Sequence, residues 1–189
     1  PEIRNQSICK VFFYGAGCST PTKKEILKEA IKTSTSENTD ISIEHDLLGA
    51  ARGLLQKKKG LACILGTGSN SCLYDGNNII DSSISLGFVL GDEGSGAYMG
   101  KKILRFYLLG YLPEHLKKAF SKKHPYSLEY FLDKIYRQDK PNSYLASFSH
   151  FLSENIHDEW ICKFIEACFQ DFFDTQIKAF GGNIKTISA

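Results

Sequence analysis

The apolar positions near the start of the chain alternate between strand-like runs and helical repeats. Val11 to Tyr14 is an apolar run that ends at Gly15-Ala16-Gly17, which predicts a buried strand followed by a glycine-permitted loop. A helix should follow, because Pro21 suits a first helical position and Thr22 with Glu25 has the spacing of a capping box. The expected buried stripe of this helix consists of Ile26, Leu27, Ala30 and Ile31.

A second strand and helix come next in the pattern. Ile41-Ser42-Ile43 alternates in the manner of a strand, and Asp46 stands where this strand passes into a helix. The helical repeat consists of Leu47, Leu48, Ala50, Ala51, Leu54 and Leu55. The charged segment Gln56 to Gly60 predicts a solvated helix end and a crossing between two lobes, residues 1–59 and residues 60–189.

From Gly60 onward the pattern predicts strands and then helices. Apolar runs at Leu61 to Leu65, Ser71 to Tyr74 and Ile79 to Ile84 predict an antiparallel meander, with a turn at Asp75-Gly76-Asn77. Beyond Gly94 the apolar spacing becomes helical. Its stripes are Ile103, Leu104, Tyr107 and Leu108, then Leu128, Phe131, Leu132 and Ile135, then Tyr144, Leu145, Phe148, Phe151 and Leu152.

The last predicted helix is the longest. Its stripe consists of Trp160, Ile161, Phe164, Ile165, Cys168, Phe169, Phe172 and Phe173. Because helical periodicity alone accounts for these aromatic residues, we interpret them as core rather than as a ligand box. The expected fold class is therefore α/β, a mixed sheet with an antiparallel meander and a large helical C-terminal part.

Composition and charge exclude some classes of function but assign none. A formal net charge of +2 over 189 residues gives no field that would favour nucleic acid or an anionic membrane. The longest apolar stretches are far shorter than the roughly 20 residues of a membrane span. Six cysteines without CxxC spacing predict reduced thiols and a cytoplasmic location, and the dispersed histidines predict no metal site.

The segment with the most specific chemistry is Gly66-Thr67-Gly68-Ser69, which lies between two apolar strands. Glycine lets successive backbone N–H groups turn toward one anion, and the hydroxyls of Thr67 and Ser69 could add donors. This predicts a phosphate cradle, although a plain hairpin turn uses glycine in the same way. The segment is neither a Walker loop nor a dinucleotide fingerprint.

Two acidic segments are further candidates. Asp92 and Glu93 lie between glycines just before a helix, where a carboxylate could accept hydrogen bonds from a sugar or simply cap the helix. Asp46 could be a helix cap, or a general base that takes a proton from an attacking hydroxyl.

The order of these three segments resembles a known family. Asp46, the GTGSN hairpin and Leu90-Gly-Asp-Glu-Gly-Ser-Gly96, each in its predicted setting, are similar to N-acetylglucosamine kinase-type members of the BadF/BadG/BcrA/BcrD ATPase family. Further similarity lies in Phe13 to Cys18 and Leu112 to Leu116. The resemblance implies actin-like ATPase lobes of the ribonuclease H-like kind, and it covers Val11 to Phe120 most closely.

The resemblance also implies roles for single residues. Asp46 matches the catalytic base, and the hairpin matches the second phosphate loop that holds ATP. The phosphate-binding residues are then Gly66, Thr67, Gly68 and Ser69. The sugar-binding residues are then Asn70, Ser85, Leu86, Gly87 and Asp92.

The family's cofactors and partners follow from the same resemblance. ATP and Mg²⁺ are the expected cofactors, the substrate is N-acetylglucosamine or a related hexose, and homodimer formation stays open. Two alternatives remain open. One is an ATPase of the dehydratase-activator type, for which Cys9 and Cys18 form no convincing iron–sulfur motif. The other is a non-catalytic sugar sensor.

Two expected segments of the family pattern do not occur in the sequence. No Asp-Gly-Gly-x-Thr phosphate loop precedes Val11, and the only Asp-Gly pair is Asp75-Gly76. Phe180 to Ala189 does not match the adenosine-binding segment that should follow the long helix. The sequence therefore predicts the middle of a kinase, with low turnover as an isolated chain.

Overall fold

The computed structural model describes residues 8–18, 20–36 and 38–181 and the two-residue strand at 187–188. The prediction for Phe180 to Ala189 thus falls largely outside the described residues. The chain divides into two compact units. The first contains the described chain as far as Cys63, Cys72–Asp81 and the last strand, and the second contains Ile64–Ser71 and the described chain from Ser82.

Strands and helices alternate at first, and helices then dominate. The strands are β1 Lys10–Gly15, β2 Asp40–His45, β3 Gly60–Leu65, β4 Ser69–Tyr74, β5 Ile79–Ser82 and β6 Ile187–Ser188. The helices are α1 Pro21–Lys32, α2 Asp46–Leu55, α3 Gly87–Leu90, α4 Gly96–Leu108, α5 Glu114–Lys123, α6 Leu128–Tyr136, α7 Pro141–Ser147, α8 Ser149–Glu154 and α9 Glu159–Phe172. A π-helical turn, Phe173–Ile177, continues α9. The predicted α/β class with a large helical part is confirmed.

The first unit contains a parallel pair of strands, with Phe13 opposite Ile43. The prediction that β1 is buried was wrong, since its burial alternates and Phe12 is 61% exposed. Only one face of β1 packs, because β1 and β2 bury alternate side chains against α1. That small core consists of Cys18, Ile41 and Ile43, with Val11, Phe13, Leu27 and Ile31 packed against it.

Helix α1 begins at Pro21 as predicted, but two details of the prediction were wrong. The cap is Thr20 rather than Thr22, and its Oγ1 accepts a hydrogen bond from the Lys23 N–H at 3.4 Å. The stripe is not fully buried either, because Ile26 is 65% exposed. The apolar residues by which the helix packs on the strand pair are Leu27 and Ile31.

The larger sheet has the strand order β5-β4-β3-β6. Three residues join β3 to β4 and four join β4 to β5, which permits only antiparallel pairing. The predicted meander is therefore present, although β5 ends at Ser82 rather than Ile84. Strand β6 pairs with β3 in parallel, with Ile187 opposite Leu61.

The second unit is built on an aromatic helical core. Its largest fully buried side chains include Phe120, Phe131, Phe148 and Phe151. The stripe from Tyr144 to Leu152 is not one helix, since α7 ends at Ser147 and α8 starts at Ser149. Helix α4 packs closely on α7, because a methyl group at Gly100 would stand 1.8 Å from the Leu145 carbonyl oxygen.

Within the described ranges, no helix combines the length and the apolar character that crossing a membrane requires. None of the six cysteines, which all lie in the described ranges, forms a disulfide. Burial raises the pKa of Cys63, Cys72 and Cys168 to about 11, so these three thiols are poor nucleophiles at neutral pH.

Candidate functional site

The hairpin tip between β3 and β4 is docked on the first turn of α4. The Gly66 carbonyl accepts from the Gly96 N–H at 2.8 Å, and the Thr67 carbonyl accepts from the Ala97 N–H at 3.0 Å. These bonds satisfy two donors that the start of a helix otherwise leaves without partners. The two carbonyls of the tip therefore point toward α4.

The same two peptide units aim their N–H groups the other way. No peptide bond among the described residues is cis, and a trans peptide sets its C=O and N–H on opposite sides. The N–H groups of Thr67 and Gly68 thus point away from α4. Within the described chain neither has an acceptor, and the exposed Thr67 hydroxyl also has no partner. Adjacent N–H groups directed the same way are suited to bind an anion.

Ser69 contributes to the framework of the site rather than to this set of free donors. Its hydroxyl is 5% exposed, donates to the Glu93 carbonyl at 2.8 Å and accepts from Gln176 Nε2 at 2.8 Å. Its backbone N–H donates to the Asp92 carboxylate. Direct donation to an anion can therefore come from Thr67 and Gly68.

Asp92 lies against the hairpin. A methyl group at Gly68 would stand 2.8 Å from Asp92 Oδ2, and the backbone of Asp92 is held at φ 59°, which is uncommon for a residue other than glycine. Burial raises the pKa of this carboxyl, while the hydrogen bond from the Ser69 N–H opposes that rise. The cap of helix α4 is Ser95 rather than Asp92, and the Ser95 Oγ accepts from the Tyr98 N–H at 3.1 Å.

A carboxylate beside an anion-binding turn has a chemical consequence. Two negative groups at this distance repel unless a cation lies between them, and Mg²⁺ is commonly held by one or two carboxylates together with phosphates. Asp92 fits that role. No group of three or more His, Cys, Asp or Glu side chains among the described residues could hold a metal ion by itself.

The predicted sugar segment adjoins the hairpin. Asn70 Oδ1 accepts from the Ser71 N–H at 2.9 Å and lies 3.0 Å from Ser83 Oγ, so its oxygen is occupied. Its amide nitrogen has no partner among the described residues and can donate to a ligand. Ser85 and Leu86 are exposed, and Gly87 begins α3 at φ 71°.

Asp46 belongs to the first unit, where it is the first residue of α2. The cap of this helix is His45 rather than Asp46. Asp46 Oδ1 accepts from the Leu47 N–H at 2.9 Å and lies 2.8 Å from His45 Nδ1. One carboxylate oxygen is thus held in place, and the other is available to a substrate.

Gln176 is not among the residues that the sequence predicts for the site, and it is 107 residues from Ser69 along the chain. It is 5% exposed and lies in the π-helical turn, between the apolar residues Phe173 and Ile177. A polar residue inside an apolar helical stripe is the one feature that could have pointed to it. The structure therefore brings together the hairpin, Asn70, Asp92 and Gln176 within the second unit.

Comparison with solved structures finds seventeen similar chains, two of which are described here. One is a "putative N-acetylglucosamine kinase" from Porphyromonas gingivalis, with a TM-score of 0.87 and 39% identity over 92% of this chain. The other bears the same name, comes from Chromobacterium violaceum and has a TM-score of 0.71 at 17% identity over 97% of this chain, which shows the fold alone. The present chain spans 61% and 65% of their respective lengths.

No family model and no curated protein matches the sequence. The structural matches agree with the family resemblance that the motifs carry. In fold, and in sequence over most of its length, this chain is similar to N-acetylglucosamine kinase-like proteins.

Proposed function

We propose that this chain provides the phosphate-binding and sugar-binding parts of an ATP-dependent kinase that acts on N-acetylglucosamine or a related hexose. The observation that carries the proposal is the hairpin tip, where the N–H groups of Thr67 and Gly68 point together away from α4, beside Asp92. A plain hairpin turn would need neither the docking on α4 nor the adjacent carboxylate.

In this proposal the hairpin binds the phosphates of ATP. Gly66 and Ser69 fix the turn, and Thr67 and Gly68 donate to the phosphate oxygens. Mg²⁺, when bound, would neutralise phosphate charge, and Asp92 is the residue placed to share it. The catalytic contribution of this region is then positioning and electrostatic stabilisation.

The remaining residues act on the sugar. Asp46 takes the proton from the attacking hydroxyl through its unoccupied carboxylate oxygen, while His45 and the Leu47 N–H hold the other oxygen. Asn70 donates from its amide, and Ser85 to Gly87 line the sugar ring. Asp92 could also accept from a sugar hydroxyl, as the sequence predicts.

The test is calorimetric titration with N-acetylglucosamine in the presence and absence of ATP and Mg²⁺, together with measurement of sugar-dependent ADP release. We expect both ligands to bind, and we expect ADP to form slowly and only when the sugar is present. Sugar binding without nucleotide binding would assign a sensor instead. ATP hydrolysis that ignores the sugar would favour the dehydratase-activator type.

A further inference from the structure

We infer that Gln176 is a positioning residue that sets the geometry of the phosphate hairpin. The role assigned to the hairpin rests on the proposed function, whereas the contacts of Gln176 do not. This side chain is almost completely buried and lies in the π-helical turn after α9. Such turns inside helices frequently occur at functional sites.

The amide of Gln176 organises a chain of hydrogen bonds. Its Nε2 donates to Ser69 Oγ at 2.8 Å, and Ser69 Oγ in turn donates to the Glu93 carbonyl at 2.8 Å. Because Ser69 has a single hydroxyl proton, the donation from Gln176 leaves that proton for Glu93. These two hydrogen bonds therefore fix the hairpin relative to the Asp92-Glu93 loop.

The amide oxygen of Gln176 lies near two further serines, one on β4 and one just after β5. It lies 3.1 Å from Ser83 Oγ and 3.5 Å from the fully buried Ser71 Oγ. Ser83 also lies 3.0 Å from Asn70 Oδ1 and precedes the predicted sugar segment. A single side chain thus contacts both the phosphate strand and the start of the sugar segment.

The neighbouring residues of α9 support the same elements. Asp171 accepts from Tyr98 Oη at 2.7 Å and from Lys102 Nζ at 2.8 Å, which fixes α4. A methyl group at Gly94 would stand 2.8 Å from Phe172 Cβ, so the acidic loop also lies closely on this helix. Helix α4 holds the hairpin tip at Gly66 and Thr67, and Gln176 holds Ser69, the first residue of β4.

The experiment compares Gln176→Met, which keeps the volume and removes the amide, with Gln176→Glu and with the control Gln170→Met. Gln170 is an exposed glutamine on α9 itself. Hydrogen–deuterium exchange is followed in the ligand-free protein. For Gln176→Met we expect exchange of the hydrogen-bonded amides of Gly66 and Ser71 to rise about tenfold. We expect no change in α5 or α6, and no change anywhere for Gln170→Met.

A second readout separates positioning from a merely structural role. For Gln176→Met we expect the Kd for a non-hydrolysable ATP analogue with Mg²⁺ to rise about tenfold, because the donors of the tip lose their alignment. Gln176→Glu keeps an acceptor for Ser83 and loses the donor to Ser69. We expect exchange at Gly66 to rise as much in this variant as in Gln176→Met. We expect exchange at Ser71, whose N–H lies against Ser83 Oγ, to rise less.

Several outcomes would overturn the inference. Exchange that stays unchanged, or that rises equally in α5 and α6, contradicts local positioning. Faster exchange with an unaltered Kd would leave Gln176 a structural residue only. If Gln176→Met shows no cooperative unfolding, Gln176→Glu decides by the same two measurements. If the unmodified protein binds no nucleotide, the proposed function fails, while the exchange result still decides whether Gln176 fixes the hairpin.

Discussion

The two regions that carry the predicted chemistry are held in place in different ways. The carboxylate of Asp46 is fixed by its own sequence neighbours, His45 and the Leu47 N–H. The hairpin tip is fixed by Gly96 and Ala97 at the start of α4, and Ser69 is held by Gln176, which is 107 residues away along the chain. One region is therefore determined locally, and the other depends on tertiary packing.

This difference has a practical consequence. A change remote from Asp46 should leave its orientation intact, since a strand end and one helical turn define it. A change remote from the hairpin can still alter it, because α4, the acidic loop and the π-helical turn each contribute a contact. Substitutions can therefore distinguish loss of chemistry from loss of positioning.

The largest expected effect comes from Asp46→Asn. Asparagine keeps the size and the acceptor for the Leu47 N–H but cannot take a proton, so we expect kcat to fall about 10³-fold with little change in sugar affinity. Steady-state kinetics with N-acetylglucosamine measures this. Asp40→Asn, which breaks the exposed pair between Asp40 on β2 and Lys10 on β1, is the control and should retain activity. A loss below tenfold for Asp46→Asn would exclude Asp46 as the base.

The second largest effect tests the support of the hairpin by α4. In Gly100→Ala the new methyl group would overlap the Leu145 carbonyl, so we expect the free energy of unfolding to fall by about 3 kcal/mol. Gly53→Ala in α2 is the matched control. A methyl group there meets nothing within 4 Å, and we expect a gain of about 0.5–1 kcal/mol. Chemical denaturation of both variants gives the comparison, and equal stabilities would contradict the close packing of α4 on α7.

The contrast between the regions also explains what the sequence could predict. The strand-to-helix unit with Asp46 follows from alternation and helical spacing, which are local signals. The turn at GTGS was predictable because glycine between two apolar strands favours a tight turn. These signals also led to the correct element types for most of the chain.

The sequence could not supply features that arise from tertiary contacts. The role of Ser69 depends on Gln176, and no local pattern links those positions. The same limit explains the break between α7 and α8, where an uninterrupted stripe predicts one helix. Thr20 and Thr22 are both possible helix caps. Because Pro21 takes the first helical position, the residue before it, Thr20, is the cap.

A smaller effect tests the donors of the hairpin tip directly. In Gly68→Ala the methyl group would push the Asp92 carboxylate, the movable end of a side chain, so we expect ATP affinity to fall about tenfold. The free energy of unfolding should change by less than about 0.5 kcal/mol. Gly53→Ala, outside the proposed site, is the control, since a methyl group there has no neighbour within 4 Å. Calorimetry would contradict the proposed phosphate role of the tip if both variants bound ATP equally.

The smallest effect concerns Asp171, which anchors α4 to α9 and so supports the hairpin from a distance. The hydrogen bond from Lys102 holds the pKa of this carboxyl below its usual value, so its stabilisation is present above the unfolded pKa of about 4 and is lost as pH falls through the lower folded value. Because the group is partly exposed, we expect Asp171→Asn to lower the free energy of unfolding by about 0.5–1 kcal/mol at pH 7.

The same substitution should have no effect once pH has fallen below the folded pKa, because the wild-type carboxyl is then protonated as well. Urea denaturation across the acid range measures this convergence. Asp174→Asn is the comparison: the hydrogen bond from Lys178 lowers the pKa of Asp174 as well, but this exposed pair lies within one helical turn and should contribute less. If the difference at Asp171 persisted at low pH, its contribution would come from neutral hydrogen bonding or packing. The hairpin would then depend on the shape of α9 rather than on this charge.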